Sequence, residues 1–152
     1  MAQLPVALIV GVLAGLWAWV SPTIGVLTWP AFIAWAFFYV GGAETKALPK
    51  VAIPLASGAL LGWLAVLAAP ALGSVGMPIA VFVIATVIVL MGSHPLFALS
   101  AAQFGGAASF FGSGADLLAT LIALGCGLVL GVLSVTLPAL LPSKSPAATT
   151  SS

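Results

Sequence analysis

The sequence predicts an all-α integral membrane protein, a bundle of six membrane-spanning helices. Three observations predict this class. The 152 residues include only three lysines and two acidic residues as charged groups, whereas about a quarter of the residues in a soluble domain are charged. Hydrophobic residues make up 63% of the chain, and the mean hydropathy is +1.36. Long apolar runs alternate with proline, glycine and serine, the residues that mark loops.

Six apolar runs are candidates for the spans, because a helix needs about 20 apolar residues to cross roughly 30 Å of hydrocarbon. They cover residues 3–20, 24–41, 49–71, 76–91, 95–112 and 116–140. The first is interpreted as a span and not as a cleaved signal peptide, because no basic segment precedes it. The fourth is short and the fifth is the least hydrophobic. These two allow a second interpretation, one span plus a re-entrant segment.

The lysines predict the orientation of the bundle. Lys46 and Lys50 lie between the second and third spans, and Lys144 follows the last one. Six crossings place all three on one face of the membrane and Asp116 on the other. The positive-inside rule then predicts that both termini are cytoplasmic. Residues 1–142 are expected to form a single transmembrane domain, and residues 143–152 a disordered cytoplasmic tail.

An internal repeat is predicted from matching landmarks in the two halves, about 3–72 and 76–140. Residues 29–32 (WPAF) parallel 94–97 (HPLF), and residues 58–66 parallel 127–135. Three spans is an odd number, so the second copy is expected to enter the membrane inverted. Inverted repeats are typical of transporters that hold their solute near the midplane.

Prolines and glycines indicate special helix geometry. Pro30 and Pro95 are predicted helix breaks that free backbone groups along a path; the alternative is a simple kink without function. Glycine pairs four residues apart predict close packing of helices within the subunit. These pairs are Gly11 and Gly15, Gly58 and Gly62, and Gly127 and Gly131.

The residues offer little for catalysis. His94 is the only histidine, Cys126 is the only cysteine, and no acidic residue lies inside a predicted span, Asp116 being the first residue of the sixth. No catalytic triad, zinc-binding motif or phosphate-binding loop is present. We therefore expect no enzyme activity, no metal and no cofactor. The net charge of +1 gives no basis for nucleic-acid binding.

Neutral polar and aromatic residues predict a solute path. Ser93, Phe97, Ser100 and Phe104 recur at helical spacing, and Gln103 is costly in hydrocarbon unless it is paired or hydrated. The predicted path consists of Phe32, Trp35, His94, Phe97, Ser100, Gln103 and Phe104. The alternative is that these polar groups hydrogen-bond neighbouring helices.

Two strings near the start of the chain carry a family resemblance. Residues 11–20 (GVLAGLWAWV) and 25–32 (GVLTWPAF) resemble the YcdZ-like family of small bacterial inner-membrane proteins, whose domain has no known function. The likeness continues through Ser57, Gly58 and Trp63 and the glycine-rich fifth span. The resemblance implies a bacterial inner-membrane location and a compact multi-span bundle. It transfers no catalytic residues.

The predicted function is that of a passive channel or facilitator for a small uncharged solute, such as urea, ammonia, an amide or a dissolved gas. A homo-oligomer is expected, because glycine-rich and apolar faces can pack copies together. The alternative is a structural or accessory subunit of a larger membrane complex that transports nothing.

Overall fold

A computed structural model describes residues 4–140 of the chain, and it is all-helical as predicted. Its α-helices are α1 (Leu4–Thr23), α2 (Thr28–Val40), α3 (Leu48–Ala68), α4 (Gly76–Met91), α5 (Ser100–Gly112) and α6 (Leu117–Ala139). Three 3-10 segments, Thr45–Ala47, Ala69–Val75 and Pro95–Phe97, lie between them. No β-strand occurs among residues 4–140.

Three helical stretches are long and apolar enough to cross a membrane: Leu4–Thr23, Thr45–Met91 and Leu117–Ala139. The middle stretch contains both α3 and α4, and the chain turns back at Gly73, whose φ is 69°. By contrast, α2 and α5 have 13 residues each. At 1.5 Å per residue each is about 20 Å long, shorter than a hydrocarbon core of roughly 30 Å. The described chain thus has the helices of a membrane protein.

Several predicted bounds need correction. The fourth predicted segment coincides with α4, but α5 begins at Ser100, because Pro95 opens a separate 3-10 turn. Pro30 is the third residue of α2. Amide groups in the first turn of a helix have no partner within the helix, so Pro30 removes no hydrogen bond and is not a helix break. Lys144 and the predicted tail, residues 143–152, lie outside the described residues.

The core consists of two closely packed helix pairs, α2 with α6 and α3 with α5. Helix α1 packs mainly on α6, and α4 packs on α3 and on the turn before it. Within the described range, α1 buries only Trp17 and Ser21. The arrangement is therefore a four-helix centre of α2, α3, α5 and α6, with α1 and α4 on its outside.

The buried faces of α2 and α5 share a pattern whose offset differs from the predicted 65 positions. The buried residues of α2 are Pro30, Ala31, Ala34, Trp35 and Phe38. Those of α5 are Ala102, Gln103, Gly106, Ala107, Ser109 and Phe110. Each buried position of α2, moved 72 positions along the chain, falls on a buried position of α5. The landmarks at residues 29–32 and 94–97, 65 positions apart, therefore do not mark equivalent helices.

A shared turn follows both short helices. Phe38 and Phe110 are buried, and their carbonyl oxygens accept backbone hydrogen bonds from Ala43 at 3.0 Å and from Ala115 at 3.1 Å. Both alanines have a positive φ, 56° and 62°, which is uncommon for a residue with a side chain. An acidic residue comes next in each case. The 3-10 segment Thr45–Ala47 follows only the first of these turns. The glycine pairs of α3 and α6 are therefore 69 positions apart, the offset predicted for residues 58–66 and 127–135.

The ends of the helices lie in two groups. A cavity of about 270 Å³ is lined by Val40, Lys50 and Pro95 among others, so the α2–α3 and α4–α5 connections share one end of the bundle. A cavity of about 190 Å³ is lined by Val26 and Asp116 among others. The α1–α2 and α5–α6 connections therefore share the opposite end.

Candidate functional site

The residues predicted to form one solute path do not form a single stripe. Ser93 and Phe97 precede α5, so they are not continuous with its helical face. Phe104 is 42% exposed and borders an outer groove beside α4. His94 is also exposed, and its Nδ1 accepts a hydrogen bond of 3.2 Å from the backbone N–H of Leu96. These four residues lie at a helix connection or on the outer surface.

Two of the predicted residues belong to a polar cluster between α2 and α6. The Nε1–H of Trp35 donates to Oγ of Ser134 at 3.1 Å, and the ring of Phe32 stacks on the Trp35 ring at a centroid distance of 6.2 Å. Ser134 donates its own proton to the carbonyl of Gly131 at 2.6 Å. The Tyr39 hydroxyl, 2.8 Å from Ser134 Oγ, must therefore be the donor in that pair.

Every polar side-chain atom of this Trp35–Tyr39–Ser134 cluster has a partner. A satisfied network of this kind stabilises one helix against another. Sequence reasoning missed Tyr39 and Ser134. A signal was available for Ser134, because it is one of few polar residues in the apolar run of α6.

The second cluster lies where α3 crosses α5 and is built around Gln103. The Gln103 side chain is fully buried. Its Nε2 donates to Oγ of Ser57 at 3.2 Å and to Sδ of Met91 at 3.7 Å. Ser57 in turn donates to the carbonyl of Pro54 at 2.9 Å. Gln103 Oε1 is buried and has no hydrogen-bond partner among residues 4–140.

The chemistry of its neighbours favours one orientation of the Gln103 amide. Exchanging the oxygen and nitrogen positions would place Oε1 beside the Met91 sulfur, which carries no proton to donate. The Ser57 proton already goes to the Pro54 carbonyl. The atom without a partner is therefore the carbonyl oxygen, a hydrogen-bond acceptor. Ser100, one turn earlier on α5, is half-buried and borders Gly92.

Glycines hold the backbone of Gln103 against α3. A Cβ atom added at Gly58 would collide with the carbonyl oxygen of Gln103, and one added at Gly106 would collide with that of Leu55. A Cβ at Gly62 would lie 2.8 Å from Cδ1 of Phe110. The amide of Gln103 is thus attached to a crossing at which the two backbones touch.

The glycine pair of α6 makes the corresponding contacts with α2. A Cβ at Gly127 would collide with the Ala31 carbonyl, and one at Gly131 would lie 2.7 Å from Cγ of Phe38. The pair on α1 differs. Gly11 and Gly15 have no heavy atom of another described helix within 4 Å of such a Cβ, so their predicted packing role within the subunit does not apply to residues 4–140.

Charged groups lie away from both clusters. Glu44, Lys46, Lys50 and Asp116 are all exposed and lie in connections or at helix starts. Across residues 4–140 no group of three or more His, Cys, Asp or Glu side chains is placed to hold a metal ion. The buried polar chemistry of the described chain is therefore neutral.

These features define a class: a small helical membrane-type protein with a closely packed, uncharged centre. A family model described as "Protein of unknown function (DUF1097)" matches residues 7–139, and the chain belongs to this family. No curated protein matches the chain significantly, and no solved structure does so. The narrower YcdZ-like name remains a prediction.

Proposed function

We propose that the protein is a passive membrane facilitator for a small uncharged solute, and that Gln103 is its solute-binding residue. The observation that carries this proposal is the buried Gln103 carbonyl oxygen, which has no partner among residues 4–140. An unpaired buried polar group costs about 1–3 kcal/mol. The corresponding position of the α2–α6 crossing is occupied by Ala31, so a crossing of this type forms in the same chain without a buried amide.

The neutrality of the centre favours an uncharged solute and passive flux. A buried ion needs a counter-charge or a set of oriented ligands, and the described charged residues are exposed. Proton-coupled transport uses ionisable groups inside the membrane. The Gln103–Ser57–Met91 cluster offers an amide, a hydroxyl and a thioether, which suit hydrogen bonding to a small polar molecule. In the described conformation Phe38 fills the α2–α6 crossing and Phe110 fills the α3–α5 crossing. We therefore expect these helices to separate transiently when a solute passes.

Flux into proteoliposomes tests this function. The purified protein is expected to carry urea, ammonia or acetamide faster than empty liposomes do, as followed by stopped-flow light scattering. Gln103→Leu should reduce this rate. Phe82→Leu is a matched control, because Phe82 is 72% exposed on the outside of α4, and its rate should equal that of the wild type. Rates equal to those of empty liposomes for every solute would contradict the proposal.

We further propose that the helices make six crossings as two inverted three-helix repeats. Exchanging the halves maps the α2–α6 pair onto the α5–α3 pair, and the contact of α1 with α6 onto that of α4 with α3. The α2–α3 connection lies at one end and the corresponding α5–α6 connection at the other. A rotation that exchanges the two halves therefore also exchanges the two ends of the bundle. This supports a two-fold rotation axis that lies in the membrane plane.

The proposed topology places both termini in the cytoplasm of a bacterial inner membrane. Lys46 and Lys50 lie at the end that carries the α2–α3 connection, which the positive-inside rule assigns to the cytoplasm. In a Cys126→Ser background, Asp116→Cys should react with a membrane-impermeant maleimide added to intact cells, and Glu44→Cys should not. Labelling of both cysteines from outside would contradict six crossings in this orientation.

The second candidate function is that of an accessory subunit, and the filled helix crossings favour it. Both crossings bring backbone against backbone, and the outer faces expose large apolar residues such as Trp19 and Phe82. A subunit of this kind would bind a partner and conduct nothing. We also propose a homo-oligomer, which native mass spectrometry in mild detergent would test. A monomer without bound partner protein would contradict both assemblies.

A further inference from the structure

The Gln103 cluster has unused hydrogen-bonding capacity of only one kind. The amide N–H group is engaged by Ser57 and Met91, and the Ser57 proton is engaged by the Pro54 carbonyl. What remains free is Oε1 of Gln103, together with the weak acceptor sulfur of Met91. The cluster therefore presents acceptors to a solute and holds its donors back.

The surroundings strengthen this preference. Gln103 lies beside a core of Leu55, Ala59 and Ala102, and hydrogen bonds are electrostatically stronger in such a low-dielectric interior than in water. A solute with an N–H group replaces one of its lost water hydrogen bonds at Oε1. A solute without a donor leaves both Oε1 and its own polar atom unpaired, and unpaired buried groups are disfavoured.

We infer that the site selects neutral solutes that donate a hydrogen bond, such as ammonia, urea and primary amides, over neutral solutes that only accept one and over dissolved gases. This inference rests on the proposed facilitator function and narrows its solute class. It assigns Oε1 of Gln103 as the atom that distinguishes solutes, with Ser57 as a positioning residue that keeps the amide nitrogen occupied.

The test compares two neutral solutes of similar size, acetamide, which donates hydrogen bonds, and dimethyl sulfoxide, which only accepts them. Their flux into proteoliposomes is measured for the wild type, Gln103→Met and Ser57→Ala. Methionine keeps the length of the side chain, replaces the carbonyl oxygen by a weakly accepting thioether and removes the amide donors. We expect Gln103→Met to lower acetamide flux about tenfold, the factor that one lost hydrogen bond supplies, with dimethyl sulfoxide flux unchanged.

Ser57→Ala should act in the opposite direction. It frees an amide N–H of Gln103, so dimethyl sulfoxide gains a donor and its flux should rise severalfold above its flux through the wild type. Ser109→Ala is the control. Ser109 Oγ is the other buried side-chain atom without a partner among residues 4–140, but it lies about 120° away from Gln103 around α5. The ratio of acetamide flux to dimethyl sulfoxide flux through Ser109→Ala should match that of the wild type.

The outcomes separate the two levels of the proposal. Equal wild-type facilitation of both solutes, lowered equally by Gln103→Met, would overturn the donor preference and leave the facilitator function standing. No facilitation of either solute by the wild type would overturn both. Unfolding temperatures of the variants in detergent, close to that of the wild type, would show that the flux ratios do not arise from misfolding.

Discussion

The α2–α6 and α3–α5 pairs have the same packing but different polar chemistry. In each pair one helix has two glycines four residues apart. The first glycine faces a backbone carbonyl of the partner helix, and the second faces a phenylalanine ring seven residues after that carbonyl. The α2–α6 pair adds a polar cluster in which every side-chain atom is paired. The α3–α5 pair adds Gln103, whose carbonyl oxygen is unpaired among residues 4–140. The two pairs share these glycine contacts, whereas their polar groups differ.

This difference is the reason why we propose the α3–α5 crossing as the site of function. Trp35, Tyr39 and Ser134 make hydrogen bonds that favour the folded state, so a structural role accounts for them fully. Gln103 leaves a buried acceptor unpaired, which disfavours the folded state by about 1–3 kcal/mol. Buried polar atoms that lower stability are expected at functional sites more than elsewhere.

The largest expected effect tests whether the two crossings are equivalent. Gly58→Ala and Gly127→Ala each introduce a Cβ that collides with a backbone carbonyl of the partner helix. Backbone atoms cannot rotate away, so each substitution should lower the free energy of unfolding by about 3 kcal/mol or more. Thermal unfolding in detergent, followed by intrinsic fluorescence, would measure the loss.

Gly15→Ala is the matched control for those two variants. It lies in the same type of glycine pair, but a Cβ there meets no heavy atom of another described helix within 4 Å. Its stability should change by less than about 1 kcal/mol, in the direction of the better helix former. A large loss for only one of Gly58→Ala and Gly127→Ala would break the equivalence of the crossings.

The all-helical class and the approximate positions of the apolar helices could be predicted from the sequence, because apolar runs and the loop residues between them mark membrane helices directly. The bounds of α4 were predicted to the residue, whereas those of α5 were not. Residues 95–97 are as apolar as the helix that follows them, so hydropathy does not separate a 3-10 turn from a span.

The composition of the candidate site was harder to predict. Lipid is as apolar as the protein core, so hydrophobicity does not tell a buried face from a lipid-facing one. Phe104 is 42% exposed and Phe110 is fully buried, although both lie on α5. Gln103 was predictable because an amide is costly in hydrocarbon. Its partners Ser57 and Met91 come from α3 and α4, and only the fold brings them together.

A match between the ends of the two short helices was present in the sequence at an offset of 72 positions and was not predicted. Residues 38–44 (FYVGGAE) and 110–116 (FFGSGAD) share a phenylalanine, a glycine, an alanine and an acidic residue at the same spacing. The proline–phenylalanine elements at 30–32 and 95–97 also match, at a different offset. The sequence alone does not show which of the two offsets is the better match. The buried residues of α2 and α5 favour the offset of 72 positions.

A smaller expected effect contrasts the polar groups of the two crossings. Ser134→Ala leaves the Trp35 Nε1–H buried without its acceptor, and we expect a loss of about 1–3 kcal/mol of unfolding free energy. Gln103→Met removes an oxygen that has no partner in the described chain, together with the two long hydrogen bonds donated by Nε2, and the two losses should leave stability close to that of the wild type. Chemical denaturation of both variants would show a loss for Ser134→Ala only. A comparable loss for Gln103→Met would indicate that its oxygen is paired in the membrane.

The smallest expected effect compares the acidic residues that follow the two short helices. Oδ1 of Asp116 accepts a hydrogen bond of 2.9 Å from the backbone N–H of Ala119 and so caps α6, whereas Glu44 makes no cap bond to the 3-10 segment after it. Asp116→Ala should therefore cost about 1 kcal/mol, Asp116→Asn less, and Glu44→Ala less than about 0.5 kcal/mol. Thermal unfolding of the three variants in one detergent would measure the difference. Equal losses at Glu44 and Asp116 would mean that the two turns are equivalent in energy as well as in backbone conformation, and that the asymmetry of the molecule is confined to the helix crossings.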